Sequence, residues 1–360
     1  MLSRRSLLAA PALLAAPALL AVRPAAAAGP LKVAFVYVSP VGDAGWTFQH
    51  ELGRRAVDAG LGSAVKTSFV ENVEEGADAE RVIRKLATDG NELIFTTSFG
   101  YMNPTIKVAQ QFPKLKFEHA TGYKRATNVA TYSARFYEGR YATGVLAGRM
   151  SKSGIAGYVA AFPIPEVLQG INAFTLGMRS VNPKAQVRVV WTSSWFDPGK
   201  ERAGADTLIA GGADIVTQHT DSTAIAQAGE EKGVMTIAYN SNQSKYGPKT
   251  CLTAVTHNWN EYYVGRVKAA IGGTWKSGDV WGGVKEGMTR LAPYAAAVPE
   301  AVRREVDGKL AAIGAGTLKP FAGPIADQDG KAKVPAGQAL SDKDIGEMKW
   351  FVEGVQGKTG

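Results

Sequence analysis

From Lys32 onward, short β-branched and aromatic runs alternate with amphipathic stretches, and midway along the chain the alternation starts again. In the first half the runs are KVAFVYV, KTSFVENV, ELIFTTS, KLKFEHA and NVATYSA. Each is bounded by turn residues and is too apolar for a strand with one wet face, which predicts strands covered on both sides. Between the first two, Phe48, Leu52, Ala56 and Ala59 recur at helical spacing, and Ile106, Ala109 and Phe112 do so after the third. Strand and helix alternating at this spacing make βαβ units on a parallel sheet.

The second set reads GIAGYVAAF, QVRVVWTSS, ADIVTQH, VMTIAYN and CLTAVTHNW, with helical stretches near 166–181, 198–211, 222–233 and 260–272. A boundary is expected near Ser151-Lys152-Ser153-Gly154. Toward the end, EAVRREVDGKLAAI predicts one helix. A Gly/Pro-rich stretch follows, and DKDIGEMKWFVEGV predicts a closing helix with Ser341 as its N-cap. The expected division is an export signal over 1–28, a first lobe from 29–152 plus about 258–280, and a second from 153–257 plus about 281–360.

The first 28 residues have a basic start, an apolar stretch broken by Pro11, Pro17 and Pro24, and small residues before a cut near Ala28. That is the pattern of a removed signal rather than a membrane anchor. Ser3-Arg4-Arg5-Ser6-Leu7-Leu8 fits a twin-arginine signal, with a general secretory signal as the alternative. No cysteine lies near the cut, which argues against a lipoprotein, and the only one, Cys251, has no partner for a disulfide. It is expected as a small core residue. Removing Arg4, Arg5 and Arg23 lowers the formal charge from +9 to +6. The remaining lysines and arginines are scattered among acids as on solvated helix faces, which speaks against a nucleic-acid partner. A soluble periplasmic protein, monomeric and without a cofactor, is the expectation.

In open parallel sheets, ligands lie beyond the carboxyl ends of the strands. Those turns read SPVGDAGWT, TSFGYMNPT, HATGY, AFPIPEV, SSWFDPGK, HTDST, YNSNQSKYG and HNWNEYY. Nearly every one carries an aromatic, and most add a carboxylate, amide or hydroxyl. Catalytic signatures are missing: no G-x-S-x-G elbow, no phosphate-binding loop and no G-x-G-x-x-G after the first strand. The four histidines have no metal-ligand spacing, and His219 with Asp221 is the one pair that suggests a general base. Residues two apart at a strand end more often satisfy local hydrogen bonds. Aromatic rings with amides and acids suit a flat heterocycle or a sugar, and the chemistry alone leaves both open.

Four segments, VAFVYVSPVGDAGWTFQHELGRRAV, IFTTSFGYMNPTIKVAQQFPKLKFEHATGY, FYEGRYATGVLAGRMSKSGIAGYVAAFPIPEVLQGINAFTLGMRSVNP and WFDPGKERAGADTLIAGGADIVTQHTDS, resemble the basic membrane protein family. These are substrate-binding components of ABC transporters related to purine-nucleoside receptor lipoproteins. The resemblance implies an α/β fold of the type I periplasmic binding kind. Two Rossmann-like lobes with parallel sheets are joined by a three-crossing hinge, with a purine in the cleft and a membrane permease as partner.

On the family's first-turn pattern, Asp43, Trp46 and Thr47 fall at ligand positions, with Trp46 at the place of the stacking ring. Asn103 stands where the family carries an acid that reads the purine edge, and Phe99 and Tyr101 flank it. Those two are not expected to share one role. Glu166, Trp195, Asp197 and Asp221 would close from the second lobe. Where nucleoside-binding relatives place an acid and a lysine near the ribose, this chain has Asn240, Asn242, Asn258 and Trp259. The departure favours a free nucleobase such as adenine, hypoxanthine or guanine over a nucleoside. A sugar or other polar metabolite, and an exported nucleoside hydrolase, are the rival readings.

Overall fold

The computed structural model describes residues 29–359, so the expected signal over 1–28 lies outside the described residues. In chain order the elements are β1 (Leu31–Val36), α1 (Trp46–Leu61), β2 (Val65–Val70), α2 (Ala77–Thr88), β3 (Leu93–Thr96), α3 (Met102–Gln111), β4 (Lys116–Ala120) and β5 (Val129–Ala134). There follow α4 (Phe136–Met150), β6 (Ile155–Ala160), α5 (Pro165–Val181), β7 (Gln186–Trp191), α6 (Pro198–Ala210), β8 (Ile215–His219), α7 (Ala224–Lys232), β9 (Met235–Asn240) and β10 (Cys251–His257). The remainder holds α8 (Asn260–Ile271), β11 (Asp279–Gly282), β12 (Thr289–Leu291), α9 (Glu300–Gly314), β13 (Ile325–Ala326), β14 (Ala332–Val334), α10 (Asp342–Gly346) and β15 (Val355–Gln356).

Ten predicted strands form β1 to β10, and they divide between two sheets. A 6-stranded sheet runs β11-β5-β4-β3-β1-β2, and a 7-stranded sheet runs β12-β10-β9-β8-β6-β7-β15. The pairings within β1 to β5 and β6 to β10 are all parallel. Only β12 enters antiparallel, on β10. The apolar strands are covered on both faces. Val33, Phe35, Leu93 and Phe95 pack with α1 and α8, and Ala34, Val36 and Ile94 pack with α2 and α3. In the second sheet α4 and α5 cover one face and α6 and α7 the other. The chain crosses between sheets after β5, after β10 and after β11. This is the two-lobed, three-crossing fold. Among the described residues no helix is long and apolar enough to span a membrane.

Two expectations are corrected. The first crossing falls between Ala134 and Phe136, ahead of Ser151–Gly154, because α4 packs on α5 in the second lobe. A Cβ on Gly144 would collide with the Phe174 carbonyl, and one on Gly177 with that of Tyr141. The glycines let the two helix backbones touch, and α4 is buried too completely to show a helical stripe. The closing helix is the second correction. Ser341 does form a capping box with Asp344, but α10 stops at Gly346. Beyond it the buried Asn172 donates to the Trp350 carbonyl (2.8 Å) and accepts from Val352 N (3.0 Å), which steers the chain extended into β15 beside β7.

Candidate ligand-binding cleft

The first helix begins without a cap of its own. Gly45 has φ +94 and no side chain to accept the orphan amides of α1. The other lobe supplies the acceptor, since Trp46 N donates to Asp221 Oδ1 at 3.0 Å. Gly45 N donates to Ser241 Oγ at 2.7 Å, again across the cleft. Asp221 also accepts from Asn240 Nδ2 (2.7 Å) and from Ser39 Oγ (3.3 Å). One carboxylate from the second sheet therefore holds the first turn of the first lobe's leading helix, so the lobes stand closed. Asp43 adds an exposed tie, pairing with Lys245 and the Tyr246 hydroxyl across the gap.

Behind these ties lies a small interlobe cavity. From the first lobe it is lined by Val38, Trp46, Ser98, Phe99 and Thr121. The second lobe contributes Ile164, Glu166, Trp195, His219, Thr220, Asp221, Tyr239 and Asn240. Trp46 is tied down by Nε1 donating to the Thr97 carbonyl at 2.6 Å. Beneath it an aromatic floor joins the lobes: His50 stacks on Trp259 at 5.0 Å, and Phe136, His257 and Tyr239 continue the contact into the second sheet. A larger, more open compartment adjoins the cavity and shares Phe99, Thr121 and Glu166 with it.

Several lining groups are buried with no hydrogen-bond partner among the described residues: Trp195 Nε1, Thr220 Oγ1, Tyr239 OH and Asn240 Oδ1. Buried polar atoms are rarely left unpaired without a reason. Because Asn240 Nδ2 is committed to Asp221, Oδ1 is left as an acceptor, while the Trp195 indole can only donate.

Burial dominates the electrostatics. It pushes the Glu166 carboxyl up to about 8 and that of Asp221 to about 7, the latter against the stabilising Trp46 amide. Burial, with Arg140 nearby, holds His219 and His257 neutral, well below the ordinary range. Arg140 is itself fully buried. Its guanidinium lies over the Tyr239 ring at 3.7 Å and donates to Thr217 Oγ1 (3.0 Å) and the Gln218 carbonyl. His219 and Asp221 do not form the dyad considered from sequence: His219 Nε2 faces Glu166 Oε1 at 3.3 Å, and Asp221 serves α1. Among the described residues no three His, Cys, Asp or Glu side chains are grouped to hold a metal.

Of the twelve candidates, Trp46, Phe99, Glu166, Trp195, Asp221 and Asn240 meet around the cavity. The other six lie elsewhere. Thr47 is buried against Ser39 Oγ (2.7 Å). Tyr101 is sealed in the first core with its hydroxyl on the Val73 carbonyl. Asn103 falls one residue into α3, where it is exposed and accepts from Lys124 Nζ (2.8 Å). Asp197 caps α6 by accepting from Lys200 N at 3.0 Å. Asn258 accepts from Asn260 N at 3.4 Å beside the start of α8, and Asp43 is on the cleft's outer lip. Sequence reasoning missed His219, Thr220 and Tyr239 as lining groups, and Arg140 beneath them. A lone arginine in the apolar stretch GRYATGVLAG was the available signal for the last.

Comparison with known proteins fits this architecture. The family described as ABC transporter substrate-binding protein PnrA-like matches residues 31–317. A purine-binding protein of Brucella abortus (strain 2308) is 52% identical over 91% of this chain and 93% of its own length. A protein of Haloferax volcanii, named provisionally as an ABC transporter glucose-binding protein, is 37% identical over 91% of this chain and 81% of its own. Among solved structures, a solute-binding protein of an ABC transporter system from Aeropyrum pernix K1 superposes with a TM-score of 0.71 at 21% identity, covering 83% of this chain and 95% of that one. With a family match over most of its length, the chain belongs to the PnrA-like substrate-binding proteins of ABC transporters.

Proposed function

We propose that this protein receives a free purine nucleobase in the interlobe cavity and delivers it to a membrane ABC permease. It acts outside the cytoplasm, as a receptor rather than an enzyme. The observation that carries the reading is the set of unpaired buried groups around aromatic rings in the interlobe cavity. Trp46 and Phe99 from one lobe and Trp195 from the other offer ring surface for a flat heterocycle, and base–aromatic stacking contributes about 1–3 kcal/mol. Trp195 Nε1 supplies a donor for a ring nitrogen lone pair, and Asn240 Oδ1 an acceptor for a ring N–H.

A free purine carries an N–H on its five-membered ring, whereas a nucleoside has spent that position on the sugar. The unpaired Asn240 Oδ1 is an acceptor for that N–H, which supports the base over the nucleoside. The purine-binding relative at 52% identity supports the ligand class. A second reading, a sugar, is favoured by the name of the 37% relative, since hydroxyls also meet acceptors and donors between rings.

A thermal-shift panel of nucleobases, nucleosides, pentoses and hexoses, with native mass spectrometry of the purified protein, separates the two. A ligand specific for the folded state raises its midpoint. Stabilisation by adenine or hypoxanthine at lower concentration than by their nucleosides is the expected result. A response to hexose alone would overturn the purine reading, and turnover of nucleosides would overturn the receptor reading.

A further inference from the structure

Glu166 meets the cavity with one oxygen already engaged. Oε1 lies 3.3 Å from His219 Nε2, while among the described residues no group hydrogen-bonds Oε2. The residue borders both the cavity and the adjoining compartment. Behind it, His219 Nδ1 is buried and unpartnered, and so are two donors, the Tyr158 hydroxyl and Arg140 Nε. All three surround Gly170, one turn after Glu166 on α5. A Cβ there would stand 3.1 Å from the Tyr158 hydroxyl, 3.5 Å from His219 Nδ1 and 3.7 Å from Arg140 Cγ. A carboxylate oxygen can only accept, so against the ionised Glu166 the neutral imidazole carries its proton on Nε2 and donates to Oε1. Oε2 is then the oxygen left for a ligand, with a proton when the group is an acid and without one when it is a carboxylate.

Purines differ on one edge in this respect. A 6-amino purine presents a lone pair at N1 and a 6-oxo purine presents an N–H. We propose that Glu166, held by His219, reads this edge in either of two protonation states, donating to 6-amino purines as the acid and accepting from 6-oxo purines as the carboxylate. The proposal rests on the purine reading of the cavity. Trp195 and Asn240 would read features that all purines share, and Glu166 the feature in which they differ. One pocket thereby admits both classes.

The two states are close enough in energy to exchange near neutral pH. Burial places the carboxyl at about 8, so at pH 7 the acid is favoured by about tenfold. Binding a 6-oxo purine then sends the Glu166 proton to solvent, while a 6-amino purine leaves it in place. The titratable or charged groups facing Glu166 are His219 on β8, Tyr158 on β6, Tyr239 on β9 and Arg140 on α4. Asp221 lines the same cavity, and Arg135, Asp279, Asp342 and Lys343 border the adjoining one. Burial keeps His219 neutral and raises both tyrosines, and Arg135 is paired with Asp342 at 2.6 Å. Asp221 is occupied by protein groups in the closed cleft, so its titration contributes equally for both ligands and cancels in their difference.

Titration calorimetry of adenine and hypoxanthine at pH 7, in phosphate and in Tris, counts the protons exchanged on binding. Hypoxanthine is expected to release close to one proton more per molecule bound than adenine. Glu166→Gln, checked for an intact thermal transition, is expected to abolish that difference. Equal proton counts for the two bases on the unaltered protein would overturn the proposal while leaving the purine reading in place. Failure of both bases to bind would overturn the purine reading and the proposal with it.

Discussion

Gly45→Ala tests whether the cross-cleft cap on α1 governs ligand affinity. With the lobes closed, an added Cβ would lie 2.5 Å from the Asp221 carbonyl oxygen, a distance real Cβ atoms essentially never show. The obstructing atom is backbone of the other lobe, so the strain is relieved by rocking the lobes apart rather than by a rotamer change. That movement breaks the Trp46–Asp221 and Gly45–Ser241 hydrogen bonds, at 3.0 and 2.7 Å. At about 1–1.5 kcal/mol each, their loss raises the closed state by about 2–3 kcal/mol. The +94° φ costs an alanine about 1 kcal/mol more, but in open and closed states alike. Apparent affinity scales with the population of the competent state, so binding should weaken about 30- to 150-fold. The ligand-free thermal midpoint should fall by only a few degrees, because the clash exists only on closure. Calorimetry gives the affinity and a ligand-free melt gives the control. An affinity within threefold of the original protein would refute closure through this contact. A midpoint collapse without ligand would show that the glycine serves folding instead.

Trp46→Ala should weaken nucleobase binding at least about fivefold, the lower end of base–aromatic stacking, and unchanged affinity by calorimetry would remove the ring from the site. Asn172→Ala strips partners from two buried backbone groups before β15 and should cost about 2–4 kcal/mol, read as a lower urea midpoint. An unchanged midpoint would mean that the C-terminal strand is held by its ladder alone. All four histidines are buried and kept neutral by burial, His119 down to about 3 and His50, His219 and His257 well below their usual range. Below about pH 6.5 the unfolded chain binds protons that the folded one refuses, so each histidine removes up to about 1.4 kcal/mol of stability per pH unit of acidification. Five carboxyls raised by burial, Glu118, Glu138, Glu166, Glu201 and Asp221, act in the opposite sense, but only Glu166 and Asp221, at about 8 and 7, are raised far enough to span this window, against four histidines. The thermal midpoint should therefore fall between pH 6.5 and 5, and a steady rise there would contradict buried neutral histidines.

Most of the fold was legible because its strands are short apolar runs between turn residues, and a doubly covered parallel sheet asks for little more. The helix α4 was not, since burial on all sides erased the stripe that marks a helix in sequence. The last nine residues of the expected helix were misread because a helical period fits them as well as the extended course imposed by Asn172, some 180 residues earlier in the chain.

Of the expected residues that line the cavity, Trp46, Phe99, Glu166, Trp195 and Asp221 lie beyond strand ends, while Thr220, in the same kind of turn, was overlooked. His219 and Tyr239, inside strands, were not expected there because adjacent strand residues ordinarily face apart. Tyr239 and Asn240 both line the cavity, and φ +65 at Asn240 breaks the alternation. Trp46 was found for its type and position. What no local pattern could reveal is that its backbone amide is capped by a residue 175 positions away.

The strand order of the two sheets has a consequence for synthesis. The first lobe's sheet is finished by β11, at residues 279–282, after five strands of the second have already been made. The second is finished by β15, at residues 355–356 of a 360-residue chain. Neither half can complete its hydrogen-bond ladders while much of the other is missing. A chain emerging from the ribosome must hold unpaired strand edges until residues 355–356 are made, which exposes it to association with other chains up to that point.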